Sequence, residues 1–183
     1  MSLLEVRKYP DPVLNTRAEP ISEVTSEIKT LIEDMFETMY RNRGIGLAAN
    51  QVGVAKRVIV LDIPEEDEEG DQRYEGRERK PIALINPEIV EESGSIKYEE
   101  GCLSVPGITA DVQRSASVRL KALDGDGRPV EISAEGLLAI ALQHEIDHID
   151  GILFIERLSW LKRDYIKRKL KKTHEEAPEG NFL

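Results

Sequence analysis

At 183 residues the chain fits one domain with one core, and a second full domain is not expected. With 33% charged and 40% hydrophobic residues it has an ordinary globular mixture, and no apolar run approaches the roughly 18–20 residues a membrane span requires. A net charge of -10 makes the chain as a whole a poor general binder of nucleic acid.

The opening residues, Met1 to Arg7, lack the basic-then-apolar layout of a signal peptide, so a cytosolic location is expected. The single cysteine cannot form an intramolecular disulfide, which leaves Cys102 as a packing residue, a reactive thiol or a metal ligand. Charge is unevenly spread. Residues 65–71 (EEDEEGD) are almost purely acidic, whereas 161–172 (LKRDYIKRKLKK) are strongly basic, which points to a separate role for the C-terminal segment.

Residues 1–20 carry Pro10, Pro12 and Pro20 and no sustained period, and are expected to form an extended arm or loop. From Glu23 to Asn42, Val24, Ile28, Leu31, Ile32, Met35 and Met39 recur at helical spacing, with Ser22 as the expected N-cap and an end near Gly44. The aliphatic runs 57–62 and 82–86 predict two strands joined by a long exposed loop over 64–81. Residues 117–123 and 129–132 flank two Asp-Gly turn signals and predict a hairpin. Residues 134–149 are apolar around most of their circumference, as in a helix buried in a core. A last basic, weakly amphipathic helix is expected from about Ser159 to Thr173.

The buried helix ends in His144-Glu145-Ile146-Asp147-His148. Two histidines four residues apart project from one helical face and can bind a single metal ion, while Glu145 lies beside them, placed to act as acid and base rather than as a third ligand. The bland alternative is a pair of core histidines. A metzincin protease would supply its third histidine ten residues after His144, where this chain has Phe154. His174 lies in the basic tail, and Glu156 comes early for a ligand on a later helix. Cys102, within Glu100-Gly101-Cys102-Leu103-Ser104-Val105-Pro106-Gly107, is the better candidate. The glycines and proline around it predict a special backbone path rather than a regular strand. Gly44-Ile45-Gly46-Leu47-Ala48-Ala49-Asn50-Gln51 permits close backbone approach and brings an uncharged donor in Gln51, although a helix C-cap followed by a loop explains it equally well.

Together the three segments resemble the peptide deformylase family, whose motifs GxGLAAxQ, EGCLS and HExDH stand here in order at 44–51, 100–104 and 144–148. The likeness extends over nearly the whole chain, including Leu84-Ile85-Asn86-Pro87 and Arg114. It implies removal of the N-formyl group from nascent polypeptides beginning with formyl-methionine, with release of formate. It also implies one divalent metal on Cys102, His144 and His148, natively Fe(II), although Zn, Ni or Co suit the same ligands. Glu145 would move the protons, and the Gln51 amide and the Leu103 backbone N–H would face the developing oxyanion. Backbone groups of Ile45, Gly46 and Gly101 would pair with the peptide, and Ile45, Leu137, Ile140 and Ala141 would line the methionine pocket.

An arginine that reaches the substrate just after the cysteine motif in some family members is replaced here by Gly107-Ile108-Thr109. The basic last helix is similar to the element some bacterial members use to dock near the ribosomal exit tunnel, with a solvated surface helix as the plain alternative. The implied chain is a monomer of α+β class. Its small antiparallel sheets pack around a central buried helix bearing HExxH, within one catalytic domain 1–183 whose residues 159–183 form the basic helix and tail. The competing readings are a zincin-type endoprotease, opposed by Phe154 and the Cys102 motif, and a non-catalytic ribosome-associated metal domain, opposed by Glu145 and Gln51.

Overall fold

A computed structural model describes residues 2–64 and 79–176. Most of the expected 64–81 loop, with its acidic run, lies outside the described residues.

Helix α1 spans Ser26–Arg41, beginning after Thr25 rather than after Ser22. The delay has a packing reason: Val24 turns toward the hairpin at 124–128, where a Cβ on Gly127 would sit 3.2 Å from Val24 Cγ2. The C-terminus closes with two bonds, Arg43 N–H to Tyr40 O at 3.0 Å and Gly44 N–H to Met39 O at 2.9 Å, the paired pattern of a Schellman motif. Its left-handed position falls on Arg43 (φ 55°) and not on Gly44. A side chain there costs roughly 1–2 kcal/mol relative to glycine.

The chain then forms β1 (Gly46–Ala48) and, after a 3-10 turn at Ala49–Val52, β2 (Val58–Leu61). Strand β3 covers Ile82–Ser93, β4 Ile96–Cys102, β5 Val105–Arg114, β6 Ser117–Leu123 and β7 Pro129–Glu135. Helix α2 (Gly136–Ile149) and helix α3 (Trp160–Glu176) complete the order. An antiparallel sheet runs β1-β2-β3-β6-β7, and a separate hairpin pairs β4 with β5. This is the α+β architecture expected.

Strand β2 explains why its sequence is uninterrupted by polar residues. Ile59 and Leu61 pack with Leu142, Ile146 and Ile149 of α2, while Val58 and Val60 face Met35 and Met39 of α1. Both faces of the strand are therefore core. A third cluster joins Leu14, Val105, Val112 and Phe154 to Ile166 and Leu170 of α3.

Two expectations are corrected. Strand β3 does not stop at Asn86: a register shift between Ile85 and Glu88 accommodates Pro87, which has no N–H to pair. Asn86 sits at φ 52°, and its amide bonds both backbone groups of Ile21. The special backbone path expected around Cys102 in place of a regular strand is only local. Cys102 ends β4, with the irregularity confined to a register shift between Gly101 and Cys102. No helix among the described residues is long and apolar enough to cross a membrane.

Candidate active site

Helix α2 runs through the core and delivers His144, Glu145 and His148, all buried, to the base of a cleft of about 600 Å³. The end of β4 brings Cys102 to the same point. One ligand atom from each of Cys102, His144 and His148 lies within 4.8 Å of the others, and Cys102 Sγ is 3.1 Å from His148 Nε2. Two further donors reach the sulfur at 3.4 Å: the Ser104 backbone N–H and Gln51 Nε2. A sulfur ringed by polar hydrogens and an imidazole is no packing group.

His144 Nδ1 meets Glu100 Oε2 at 2.8 Å, which leaves Nε2 as the nitrogen available to Cys102. Burial acts to raise the Glu100 carboxyl, but hydrogen bonds from Arg114 and His144 prevail and hold it down to about 2. Arg114 grips that carboxylate with two bonds, Nε to Oε1 at 2.7 Å and an Nη to Oε2 at 2.9 Å, and its other Nη reaches Asp147. For His144, burial works against protonation and is outweighed by Cys102 and Glu100, which push its pKa up; burial, reinforced by the nearby His144, pushes His148 down. Among the described residues three buried side-chain atoms lack a partner: Asn50 Oδ1, away from the cleft lining, and two at this site. Glu145 Oε2 and His148 Nδ1 are buried without a hydrogen-bond partner. Burial lifts the Glu145 carboxyl to about 7.

The backbone at 44–46 is shaped by this carboxylate, since a Cβ on Gly46 would run into Glu145, 2.9 Å from its Cγ and Cδ. Gln51 accepts from Ala48 N–H at 2.9 Å, and its amino group bonds Ser104 Oγ at 3.2 Å as well as Cys102. Ile45, Gly46, Gln51, Gly101, Cys102, Leu103, Leu137, Ile140, Ala141, His144 and Glu145 all line the cleft; His148 lies beneath it.

Sequence reasoning did not find the buried Glu100–Arg114–Asp147 chain or Ser104 (0% exposed), because charged and hydroxyl residues are by default read as solvated. It also missed the N-terminal arm as a brace. Arg7 N–H bonds Gln51 O at 2.7 Å and Tyr9 N–H bonds Ser104 O at 2.9 Å, which ties the two cleft loops together.

A His-Glu-x-x-His helix facing a strand-end cysteine across a cleft between two sheets defines a hydrolase able to use a metal ion. The family model described as Polypeptide deformylase matches residues 3–164, and the chain belongs to that family. It is 50% identical over 172 residues to a peptide deformylase of Alkalilimnicola ehrlichii (94% of this chain, 91% of that one). It is 51% identical over 172 residues to one of Chromobacterium violaceum (94% and 96%). The crystal structure of peptide deformylase from Ehrlichia chaffeensis superposes with a TM-score of 0.86 at 44% identity, covering 95% of this chain and 98% of that one. The same protein in complex with actinonin gives 0.86 at 43% identity, covering 97% and 100%. The chain is thus a metal-dependent hydrolase that removes the N-formyl group from nascent peptides.

Proposed function

We propose that Cys102, His144 and His148 hold one divalent ion, natively Fe(II), within a single catalytic domain, and that Glu145, Gln51 and Leu103 act on formyl-methionyl peptides. The observation that carries this reading is the convergence of three ligand atoms within 4.8 Å beside a buried carboxylate with an unpartnered oxygen. The donor set fits the ion, because thiolate and imidazole accept Fe(II), Zn, Ni or Co, and Glu100 fixes which His144 nitrogen is free. When bound, such an ion would act as a Lewis acid that lowers the pKa of water toward roughly 7.

Glu145 takes the proton of the attacking water on its carboxylate, whose buried Oε2 has no hydrogen-bond partner, and hands it to the departing amine. The Leu103 N–H and one Gln51 N–H meet the carbonyl oxygen as it gains charge. Both Gln51 N–H donors are in use at rest, so the bond to Ser104 must be exchanged for the oxyanion. The peptide lies extended in the slot between β1, which is the open edge of its sheet, and β4, pairing with Ile45, Gly46 and Gly101. The methionine side chain enters among Ile45, Leu137, Ile140 and Ala141.

Formate release from formyl-Met-Ala-Ser by freshly and anaerobically purified protein tests the reading, with metal content measured on the same sample. Activity should follow iron and decay in air; equal, air-stable activity with zinc would overturn the Fe(II) assignment. Gln51→Ala should retain metal yet lose on the order of a hundredfold in turnover, the scale of one lost oxyanion donor. Unchanged turnover would remove Gln51 from the mechanism.

We further propose that the cytosolic monomer docks near the ribosomal exit tunnel through α3, which presents Lys162 and Arg163 beside the exposed Trp160, Leu161 and Tyr165. Because Ile166 and Leu170 of α3 are core residues, Lys162→Glu with Arg163→Glu is a cleaner test than truncation. Cosedimentation with ribosomes should fall while small-peptide activity stays; unchanged cosedimentation would sink the idea.

A further inference from the structure

The cleft has a chemically distinct mouth. Gly46 abuts Glu145 at the reacting centre, so Ile45, Gly44 and Arg43 lead away from it along one bank, while Gly101 and Glu99 do so along the other. Arg43 lines the cleft and is exposed, and no hydrogen bond or ion pair holds its guanidinium among the described residues. It occupies the left-handed position that ends α1, where glycine is the unstrained residue. Among the described residues no structural partner accounts for a cation placed there against the backbone preference.

Lys8 adds a second positive charge. It lines the same cleft and its Nζ donates to Leu103 O at 2.5 Å, while a Cβ on Gly44 would sit 3.3 Å from Leu103 Cδ1. Lys8 and the Arg43–Gly44 step therefore flank Leu103 from two sides. Two cations stand at the mouth of a chain whose net charge is -10. Of the acidic residues lining the cleft, Glu100 and Glu145 are buried, and Glu99 lies on the opposite bank.

Building on the deformylase reading and its extended peptide, we propose that Arg43 is a specificity-determining residue that favours substrates with an acidic third residue. A peptide whose formyl-methionine lies beside Ile45 and Gly46 leaves the reacting centre along the bank that carries Gly44 and Arg43, and its third residue, two extended steps of about 3.3 Å further out, comes within reach of the long Arg43 side chain that lines the mouth. The exposed setting limits the gain to that of a solvated ion pair, so the selectivity is graded and sensitive to salt.

The test compares kcat/KM for the amidated peptides formyl-Met-Ala-Glu, formyl-Met-Ala-Gln and formyl-Met-Ala-Lys, using metal-loaded enzyme at low ionic strength. Amidation prevents the terminal carboxylate from imitating the acidic side chain. The wild-type protein should prefer Glu over Lys by about threefold, mainly through KM, and the ratio should move toward one in about 0.5 M salt. Arg43→Glu should invert the order. Arg43→Gly should level it while raising the thermal midpoint, since it removes the guanidinium and relieves the backbone together, so loss of folding cannot explain the result. A wild-type Glu-to-Lys ratio of one, or a ratio unchanged in both variants, overturns the proposal. Absence of formate from all three peptides would instead overturn the deformylase reading beneath it.

Discussion

Glu145 and Asp147 stand two residues apart on α2, both carboxylates and both nearly buried, at 5% and 6% exposure, yet their surroundings are opposite. On the face away from the cleft, Asp147 accepts from Arg114 and from two nitrogens of Arg157, and its neighbour Gln143 bonds both backbone groups of Ser115. On the cleft face Glu145 Oε2 has no partner, and burial holds the Glu145 carboxyl near 7. Buried polar groups are normally saturated, so the rear of the helix is structure and its front is chemistry awaiting a ligand.

The widest break in that contrast comes from removing one charge on each face. Glu145→Ala should lower turnover by roughly 10²–10⁴-fold while metal stoichiometry and the stability of the metal-free protein hold. Loss of metal would recast Glu145 as a ligand. Arg114→Met should do the reverse and cost about 3–5 kcal/mol in urea unfolding, because Glu100 and Asp147 stay buried without their shared cation. A cost under about 1 kcal/mol would mean those carboxylates do not depend on it. With Glu100 loosened, His144 loses its orienting bond, and metal affinity should fall about 10–100-fold. Stripping the metal with a chelator tests the front alone. The native state should lose about 2.7 kcal/mol relative to a sample held at a hundred times the dissociation constant. An unmoved midpoint would break the assignment of Cys102, His144 and His148.

The same contrast explains what could be read from the chain in advance. The convergence at the front face was legible because its chemistry dictates spacing: His144 and His148 four apart, Glu145 between them, and Cys102 as the candidate third donor once Phe154 departs from the protease pattern. The hairpin of β6 and β7 was legible from its Asp-Gly turns, and β2 from an apolar run that two helices bury. Strands β4 and β5 were not. Their alternation mixes Glu99, Glu100, Asp111 and Arg114 with glycines, so it reads as solvated and irregular, although Glu100 and Arg114 face each other inside. Nothing local marks that burial; the signal is an acid and a base whose strands happen to pair. Arg43 was hidden for a different reason: Gly44 is the obvious helix terminator, but the left-handed turn falls one residue earlier.

The smallest expected effect is the sharpest division of the rear face. Arg157 makes two bonds to Asp147, as a structural partner should, but its side chain is 47% exposed where that of Arg114 is 3%. Screening by water should hold the cost of Arg157→Ala to about 1 kcal/mol or less, diminishing further in salt. Asp147 would keep Arg114, and the path from Arg114 through Glu100 to His144 would be untouched. Turnover and KM should therefore stay at the wild-type level. If Arg157→Ala instead reduced metal affinity as Arg114→Met is expected to, Asp147 would be transmitting order from the surface to the ligand histidine. The rear of α2 would then belong to the catalytic apparatus rather than to its scaffold.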